Sequence, residues 1–311
     1  MLKKNDKIFL AGHNGLVGSA VLRKLKEKKY KNISIKNKKY LNLLDQKKVF
    51  SFLRKEKFKA LIICAARVGG INANNVYKAN FIYENITIQN NLIHGAFKSG
   101  IKNLIFLGSS CVYPRDCIQP IKEKYLLNGY LEKTNEPYAI AKIAGIKTCE
   151  AYNYQYKTNY KCLMPTNTFG PNDNYDLNKS HFIPAIIKKI HEAKKKKIHK
   201  ISLWGNGKAK REVLYVDDLA DAIVFFLNKK TKESLINIGS GFEKSINDYA
   251  LIIAKILNWK IKIQYIKNNL NGTSRKLLNS NIAKKYGWRP KNSFKKSIEK
   301  TYISFIEKKI R

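Results

Sequence analysis

Lys7-Ile8-Phe9-Leu10-Ala11-Gly12-His13-Asn14-Gly15-Leu16-Val17-Gly18 decides the fold. A short apolar run of strand character ends in three glycines spaced G-x-x-G-x-x-G, and an amphipathic helical pattern continues through Leu22 and Leu25. Glycines at this spacing let a chain leave a strand in a tight turn, approach a pyrophosphate with its backbone, and pack the following helix on the strand. The motif alone is weak. At a strand end, at a helix start and near the N-terminus it predicts a dinucleotide site lined by Gly12, His13, Asn14, Gly15, Leu16, Val17 and Gly18.

Working outward, a second strand, Ile33-Ser34-Ile35, runs into Lys36-Asn37-Lys38-Lys39. A ribose with a free 2′-hydroxyl calls for a carboxylate at this strand end. Lysines suit a 2′-phosphate, so Lys36 and Lys38 predict NADP(H). Asp45 is placed as N-cap of a helix over Gln46 to Lys57, within reach of the adenine. Strand-like runs recur at Ala60–Cys64, Asn103–Leu107 and Tyr160–Met164, with helical patterns between them. Such alternation predicts an α/β fold, a Rossmann-type doubly wound parallel sheet. Beyond Pro171 turn signals multiply. The expected division is a cofactor domain over 1–170, rejoined by 213–240, and a smaller, discontinuous α/β substrate domain over 171–311.

With 61 Lys and Arg against 22 Asp and Glu, the net charge is +39. A nucleic-acid binder would carry such charge as a patch or tail. Here the lysines are scattered, and the one tight run, Lys194 to Lys197, continues a helical pattern. A compositional bias accounts for them, and no nucleic-acid partner is expected. The field still favours anionic ligands. No apolar run reaches the roughly 18 residues of a membrane span, and the first strand follows the N-terminus too closely for a signal peptide. A cytoplasmic protein without a membrane partner is expected. The five cysteines show no C-x-x-C pair and no neighbouring histidine cluster, so no metal is expected.

Chemistry enters at Asn135-Glu136-Pro137-Tyr138-Ala139-Ile140-Ala141-Lys142. Pro137 suits a first helical turn, and Tyr138 and Lys142, four apart, share one helical face. A cation beside the phenol is expected to stabilise tyrosinate and lower its pKa, making Tyr138 a general acid/base. After the strand ending at Leu107 come Gly108-Ser109-Ser110-Cys111-Val112-Tyr113-Pro114. Residues just past a strand's carboxyl end line the ligand crevice, so Ser109 or Ser110 is placed to donate to the carbonyl that Tyr138 serves.

Together these motifs resemble an extended short-chain dehydrogenase/reductase. Ala65-Ala66-Arg67-Val68-Gly69-Gly70-Ile71, Gly108 to Pro114, Asn135 to Lys142, Met164-Pro165-Thr166-Asn167, Asn178-Lys179-Ser180-His181, Trp204-Gly205-x-Gly207, Arg211-Glu212 and Gly272-Thr273-x-Arg275-Lys276 narrow the likeness to the GDP-L-fucose synthase family, over nearly the whole chain. That resemblance implies C3/C5 epimerisation and then NADPH-dependent 4-reduction of GDP-4-dehydro-6-deoxy-D-mannose by a homodimer. It implies Ser109, Tyr138 and Lys142 at the 4-oxygen, and Cys111 with His181 as the epimerising acid/base pair. It adds Leu107, Gly108, Ser110, Pro165, Thr166, Asn167, Thr168 and His181 to the cofactor site, and Lys189, Trp204, Arg211 and Lys276 to the GDP-sugar site. Two positions depart from the family pattern: Asn14 where arginine is usual, and Asn271 where an acidic residue commonly precedes Gly-Thr. A UDP-sugar 4-epimerase with tightly held NAD is the nearest alternative, and it has no use for Cys111 and His181.

Overall fold

The computed structural model describes residues 2–266 and 273–310. Asn271 and Gly272, singled out above, lie outside the described residues. Strand β1 (Ile8–Ala11) passes through the glycine turn into α1 (Leu16–Glu27), followed by β2 (Ile33–Ser34), α2 (Gln46–Glu56), β3 (Ala60–Ile63), α3 (Ile71–Val76), α4 (Lys78–Lys98) and β4 (Asn103–Leu107). Then come α5 (Glu136–Tyr156), β5 (Asn159–Pro165), β6 (Asn167–Phe169), α6 (Phe182–Lys195), β7 (Lys200–Trp204), β8 (Lys210–Tyr215), α7 (Val216–Asn228) and β9 (Leu235–Ile238). The chain closes through β10 (Glu243–Ser245), α8 (Ile246–Ile256), β11 (Lys262–Ile266), β12 (Arg275–Lys276), α9 (Asn281–Lys285) and α10 (Phe294–Ile310).

Six strands form one parallel sheet in the order β2-β1-β3-β4-β5-β9. Its strands are apolar on both faces because helices cover both. Ile8 and Leu10 enter the core shared with α1, α6 and α7. Phe9 and Ala11, pointing the other way, enter the core shared with α2, α4 and α5. On α1, Val21 and Leu25 are fully buried, each contributing roughly 1.5–3 kcal/mol against exposure. The strand order reverses between β1 and β3, and the crevice at their carboxyl ends is where a doubly wound sheet takes its ligand.

The expected helix α2 begins as the sequence indicated. Asp45 Oδ1 accepts from Lys48 N at 3.0 Å, and burial of Val49 and Leu53 sets its inner face. Two smaller sheets accompany the large one: β10-β8-β12, with β6 alongside β8, and a parallel pair of β7 with β11. Val213–Tyr215 therefore ends a small-sheet strand, and α7 and β9 carry the chain back to the large sheet. A fully buried carboxylate ties these parts together. Glu212 on β8 accepts from the backbone N–H groups of Gly241 at 2.6 Å and Leu278 at 2.9 Å.

Candidate active site

At the sheet's switch point the first and third glycines are fixed by contact. Gly12 has φ +88°, and a Cβ there would stand 2.5 Å from Ala65 N. A Cβ on Gly18 would stand 2.0 Å from the Gly12 carbonyl oxygen, so α1 packs on the turn only with glycine in that place. Gly15 caps the helix with extended backbone and no side chain in the way, leaving the first N–H groups of α1 open to an anion. Within this turn the His13 Nδ1 atom is buried without a hydrogen-bond partner. Asn14 Nδ2 donates to Asn37 Oδ1 at 2.8 Å, joining the turn to the segment after β2. Lys36 and Lys38 are exposed there, the former 5.8 Å from the Phe52 ring. Asp45 is occupied in its cap and in an ion pair with Lys48 at 3.2 Å, so its carboxylate is directed to α2 rather than to an adenine.

The catalytic candidates stand on α5 and just past β4. Small residues let α5 approach the sheet closely: a Cβ on Gly145 would meet the Phe106 ring at 2.5 Å. Gln89 Nε2 on α4 holds the helix by donating to the Ala141 carbonyl at 2.6 Å. Lys142 is buried, and its ammonium donates to the Leu107 carbonyl at 2.8 Å, 5.9 Å from the Tyr138 ring centroid. Burial pushes its pKa down to about 8. The Tyr138 phenol is pushed up by burial and by the neighbouring Cys111, against a hydrogen bond with the Ser109 hydroxyl that lowers it. The expected lowering of this phenol by Lys142 is therefore reversed. The ammonium is committed to a carbonyl, and crowding disfavours tyrosinate. These surroundings favour the neutral phenol of Tyr138.

Cys111 follows at once, in a short 3₁₀ turn whose N–H is capped by Ser109 Oγ at 3.2 Å. Asn135 is N-cap of α5 but makes no cap hydrogen bond; its Nδ2 donates to the Cys111 sulfur at 3.3 Å. Lys276 Nζ is 3.8 Å from the same sulfur. Sequence reasoning assigned Lys276 to a pyrophosphate and passed over Asn135. An N-cap asparagine three residues before Tyr138 was the available signal. Ser110, buried, opens this turn.

His181 caps α6 without a cap hydrogen bond. Its side chain is exposed, and desolvation by the protein beside it lowers its pKa. Its segment is locked to the switch-point loop: Gly70 N donates to the Lys179 carbonyl at 2.8 Å, and a Cβ on Gly70 would meet Ser180 O at 2.4 Å. Phe81, beside Gly69, packs edge-on against Tyr138 with centroids 6.1 Å apart. Gly108 fits under Met164, whose sulfur would be 2.3 Å from any Cβ. After Pro165, Thr166 Oγ1 and Asn167 Nδ2 both donate to the Glu212 carbonyl, at 3.0 and 3.1 Å, and Thr168 Oγ1 donates to the Thr166 carbonyl. The Thr166 and Asn167 side chains thereby tie the start of β6 to β8.

Arg211 is paired in register with Lys276 across β8 and β12, close enough to Cys111 for the thiol to raise its pKa against the lowering by burial. Its guanidinium donates to the Lys210 carbonyl at 2.8 Å. Lys189 donates to the Ser202 carbonyl at 2.7 Å and stands 5.9 Å from the half-exposed Trp204 ring. Burial lowers its pKa. The structure thus gathers Ser109, Asn135, Tyr138, Arg211 and Lys276 around Cys111, with Lys189 and Trp204 forming a second group on α6 and β7.

The chain belongs to the NAD dependent epimerase/dehydratase family, whose model matches residues 8–239. It is 48% identical to a GDP-L-fucose synthase of Sinorhizobium fredii (strain NBRC 101917 / NGR234), covering 98% of this chain and 97% of that protein. It is 41% identical to a GDP-L-fucose synthase of Escherichia coli (strain K12), covering 98% of each. Among solved structures, the NADP-bound MlghC, a GDP-mannoheptose C4 reductase from Campylobacter jejuni, matches with TM-score 0.89 and 32% identity, over 98% of this chain and 100% of that one. An NADP-bound GDP-L-fucose synthetase from Naegleria fowleri matches with TM-score 0.90 and 25% identity, over 100% and 97%. No helix among the described residues is long and apolar enough to cross a membrane.

Proposed function

We propose that the chain catalyses the NADPH-dependent 3,5-epimerisation and 4-reduction of GDP-4-dehydro-6-deoxy-D-mannose to GDP-L-fucose. One observation carries the proposal: a thiol, Cys111, stands beside Ser109 and Tyr138 in a chain nearly half identical to GDP-L-fucose synthases. A plain reductase or 4-epimerase gives a cysteine in that place nothing to do.

The residues fit the cofactor. The cradle of Gly12 and Gly18, which side chains would fill, the open start of α1, and the unpartnered His13 nitrogen suit a pyrophosphate, and Lys36 and Lys38 suit a 2′-phosphate. NADPH supplies a hydride for the ketone when bound there. Before that step, the 4-ketone acidifies the protons on carbons 3 and 5. Cys111 takes a proton from one face while His181 gives one to the other, inverting the carbon through an enolate. Ser109 and Tyr138 donate to the enolate oxygen, and Tyr138, kept protonated by its surroundings, then protonates the alkoxide. Lys142 replenishes the positive field nearby. Arg211 and Lys189 supply cations for the diphosphate, and Trp204 a packing surface.

A homodimer, a cytoplasmic location, and a division into a cofactor domain over 1–170 with a discontinuous substrate domain are proposed on the same family resemblance. The test is absorbance at the NADPH band on mixing protein with GDP-4-dehydro-6-deoxy-D-mannose, with product identified by chromatography. Oxidation yielding GDP-L-fucose is expected. Oxidation only with another 4-keto nucleotide sugar would reassign the substrate.

A further inference from the structure

We propose that Lys276 is a positioning residue for Cys111: with Asn135 it forms a two-donor seat that holds the sulfur anion where it takes a proton from the sugar. The inference rests on the reaction proposed above and adds a residue to its proton-transfer step.

The geometry sets Lys276 apart from the neighbouring cations. β12 presents its two residues to opposite faces. Arg275 turns outward and pairs with Glu243 at 2.7 Å, while Lys276 turns inward to the Cys111 sulfur at 3.8 Å. The backbone that follows is pinned twice, by Leu277 N donating to Gln119 Oε1 at 2.8 Å and Leu278 N donating to the buried Glu212 carboxylate at 2.9 Å. Gln119 itself donates to the Cys117 carbonyl at 3.2 Å. Lysine and thiol therefore belong to two segments tied to each other, and the contact does not depend on a free side chain finding its partner.

Two side chains contact the sulfur, Asn135 on α5 and Lys276 on β12, while Tyr138 on α5 and Arg211 on β8 stand near enough to feel its charge and Ser109 holds the Cys111 N–H. Ser109 Oγ accepts from the Cys111 N–H and its hydroxyl is hydrogen-bonded with the Tyr138 phenol, and the Arg211 guanidinium is directed to the carbonyls of Lys210 and Ser274. That leaves Asn135 and Lys276 as donors to the sulfur. The other end of the Asn135 amide, Oδ1, is buried without a partner, so among the described residues the sulfur is the one hydrogen-bonding anchor of that side chain.

The step balances simply. A C–H bond next to the 4-ketone breaks, its electron pair moves to the 4-oxygen as enolate, and the proton forms an S–H bond. Donors fixed on the sulfur hold its lone pair toward the substrate and stabilise the anion before the transfer. A cation whose partner is diphosphate would act on affinity instead.

Lys276→Met and Lys276→Arg distinguish the two roles. Three quantities are read: solvent deuterium incorporation into the sugar at saturating substrate, affinity for GDP, and the rate at which iodoacetamide alkylates Cys111 in ligand-free protein, located by peptide mapping. Lys276→Met is expected to slow exchange and alkylation by about tenfold or more, the size of a lost charge-assisted hydrogen bond. GDP affinity should change little, and Lys276→Arg should recover most of both rates. Weakened GDP binding with both rates unchanged would overturn the proposal and return Lys276 to the diphosphate. Absence of exchange in the unaltered protein would instead refute the proposed reaction, and alkylation would still report on the seat.

Discussion

The two halves of the crevice are built in opposite ways. On the cofactor side, one continuous stretch from Ile8 to Gly18 supplies strand, turn and helix start, and its glycines are explained by contacts within itself or with the neighbouring strand end. On the thiol side, Cys111, Asn135, Arg211 and Lys276 come from four separated segments that meet only when β8 and β12 pair beside the end of β4. A local device can be changed without disturbing its neighbours. An assembled one transmits any change in the strands that carry it. The difference also separates the two reactions, since hydride transfer needs the first side and carbon acid chemistry the second.

The largest effect expected is from Tyr138→Phe, which removes the proposed proton donor to the 4-oxygen. Reduction should fall by about 10²–10⁴-fold, the usual worth of a positioned acid, with NADPH affinity nearly unchanged by fluorescence titration. Normal turnover would sink that role. Cys111→Ser should lower deuterium incorporation at carbons 3 and 5 by about 10²-fold or more while leaving NADPH binding intact. Equal exchange in both proteins would move the base elsewhere and dissolve the contrast between the two sides.

Gly18→Ala attacks the opposite side. Its methyl group would overlap the Gly12 carbonyl, so the turn must open. NADPH affinity should drop by about tenfold or more, about 1.4 kcal/mol at least, and exchange without cofactor should persist. Changing Lys36 and Lys38 together to Asp should cut the preference for NADPH over NADH by about tenfold, given the 1.5–3 kcal/mol of a hydrogen bond to a charged group. An unchanged preference would leave both lysines as ordinary surface charge.

The smallest effect is in pH dependence. Lys142 and Lys161 are both buried, and burial pushes each pKa down to about 8. Each unfolded-chain lysine keeps its proton to higher pH, so stability contributed by these groups rises as pH climbs from about 8 toward the ordinary lysine value. Only Lys142 stands in the site. The reduction rate should decline above about pH 8 as its ammonium is lost, and Lys161→Met should leave that limb in place. A limb that moves with Lys161 would assign it to folding rather than to chemistry.

Much of this was legible in the sequence because it is local. The glycine turn, the Asp45 cap and the four-residue spacing of Tyr138 and Lys142 each depend on neighbours within a few residues. The alternation of strands and helices gave the doubly wound sheet for the same reason. What escaped depends on tertiary placement. Nothing in the spacing of Tyr138 and Lys142 says that the ammonium will face the Leu107 carbonyl, so the direction in which the phenol shifts was inverted. Nor does a pattern near position 276 announce a thiol more than 160 residues away, which only the pairing of β12 with β8 brings within reach.

The most direct test is isotopic. The protein is supplied with NADPH and GDP-4-dehydro-6-deoxy-D-mannose in deuterium oxide, and the product is read by NMR and mass spectrometry. One crevice performing both steps predicts GDP-L-fucose with deuterium at carbons 3 and 5 and protium, from the cofactor, at carbon 4. A reduced product retaining protium at carbons 3 and 5 would contradict it, leaving a reductase in which Cys111 and His181 take no part.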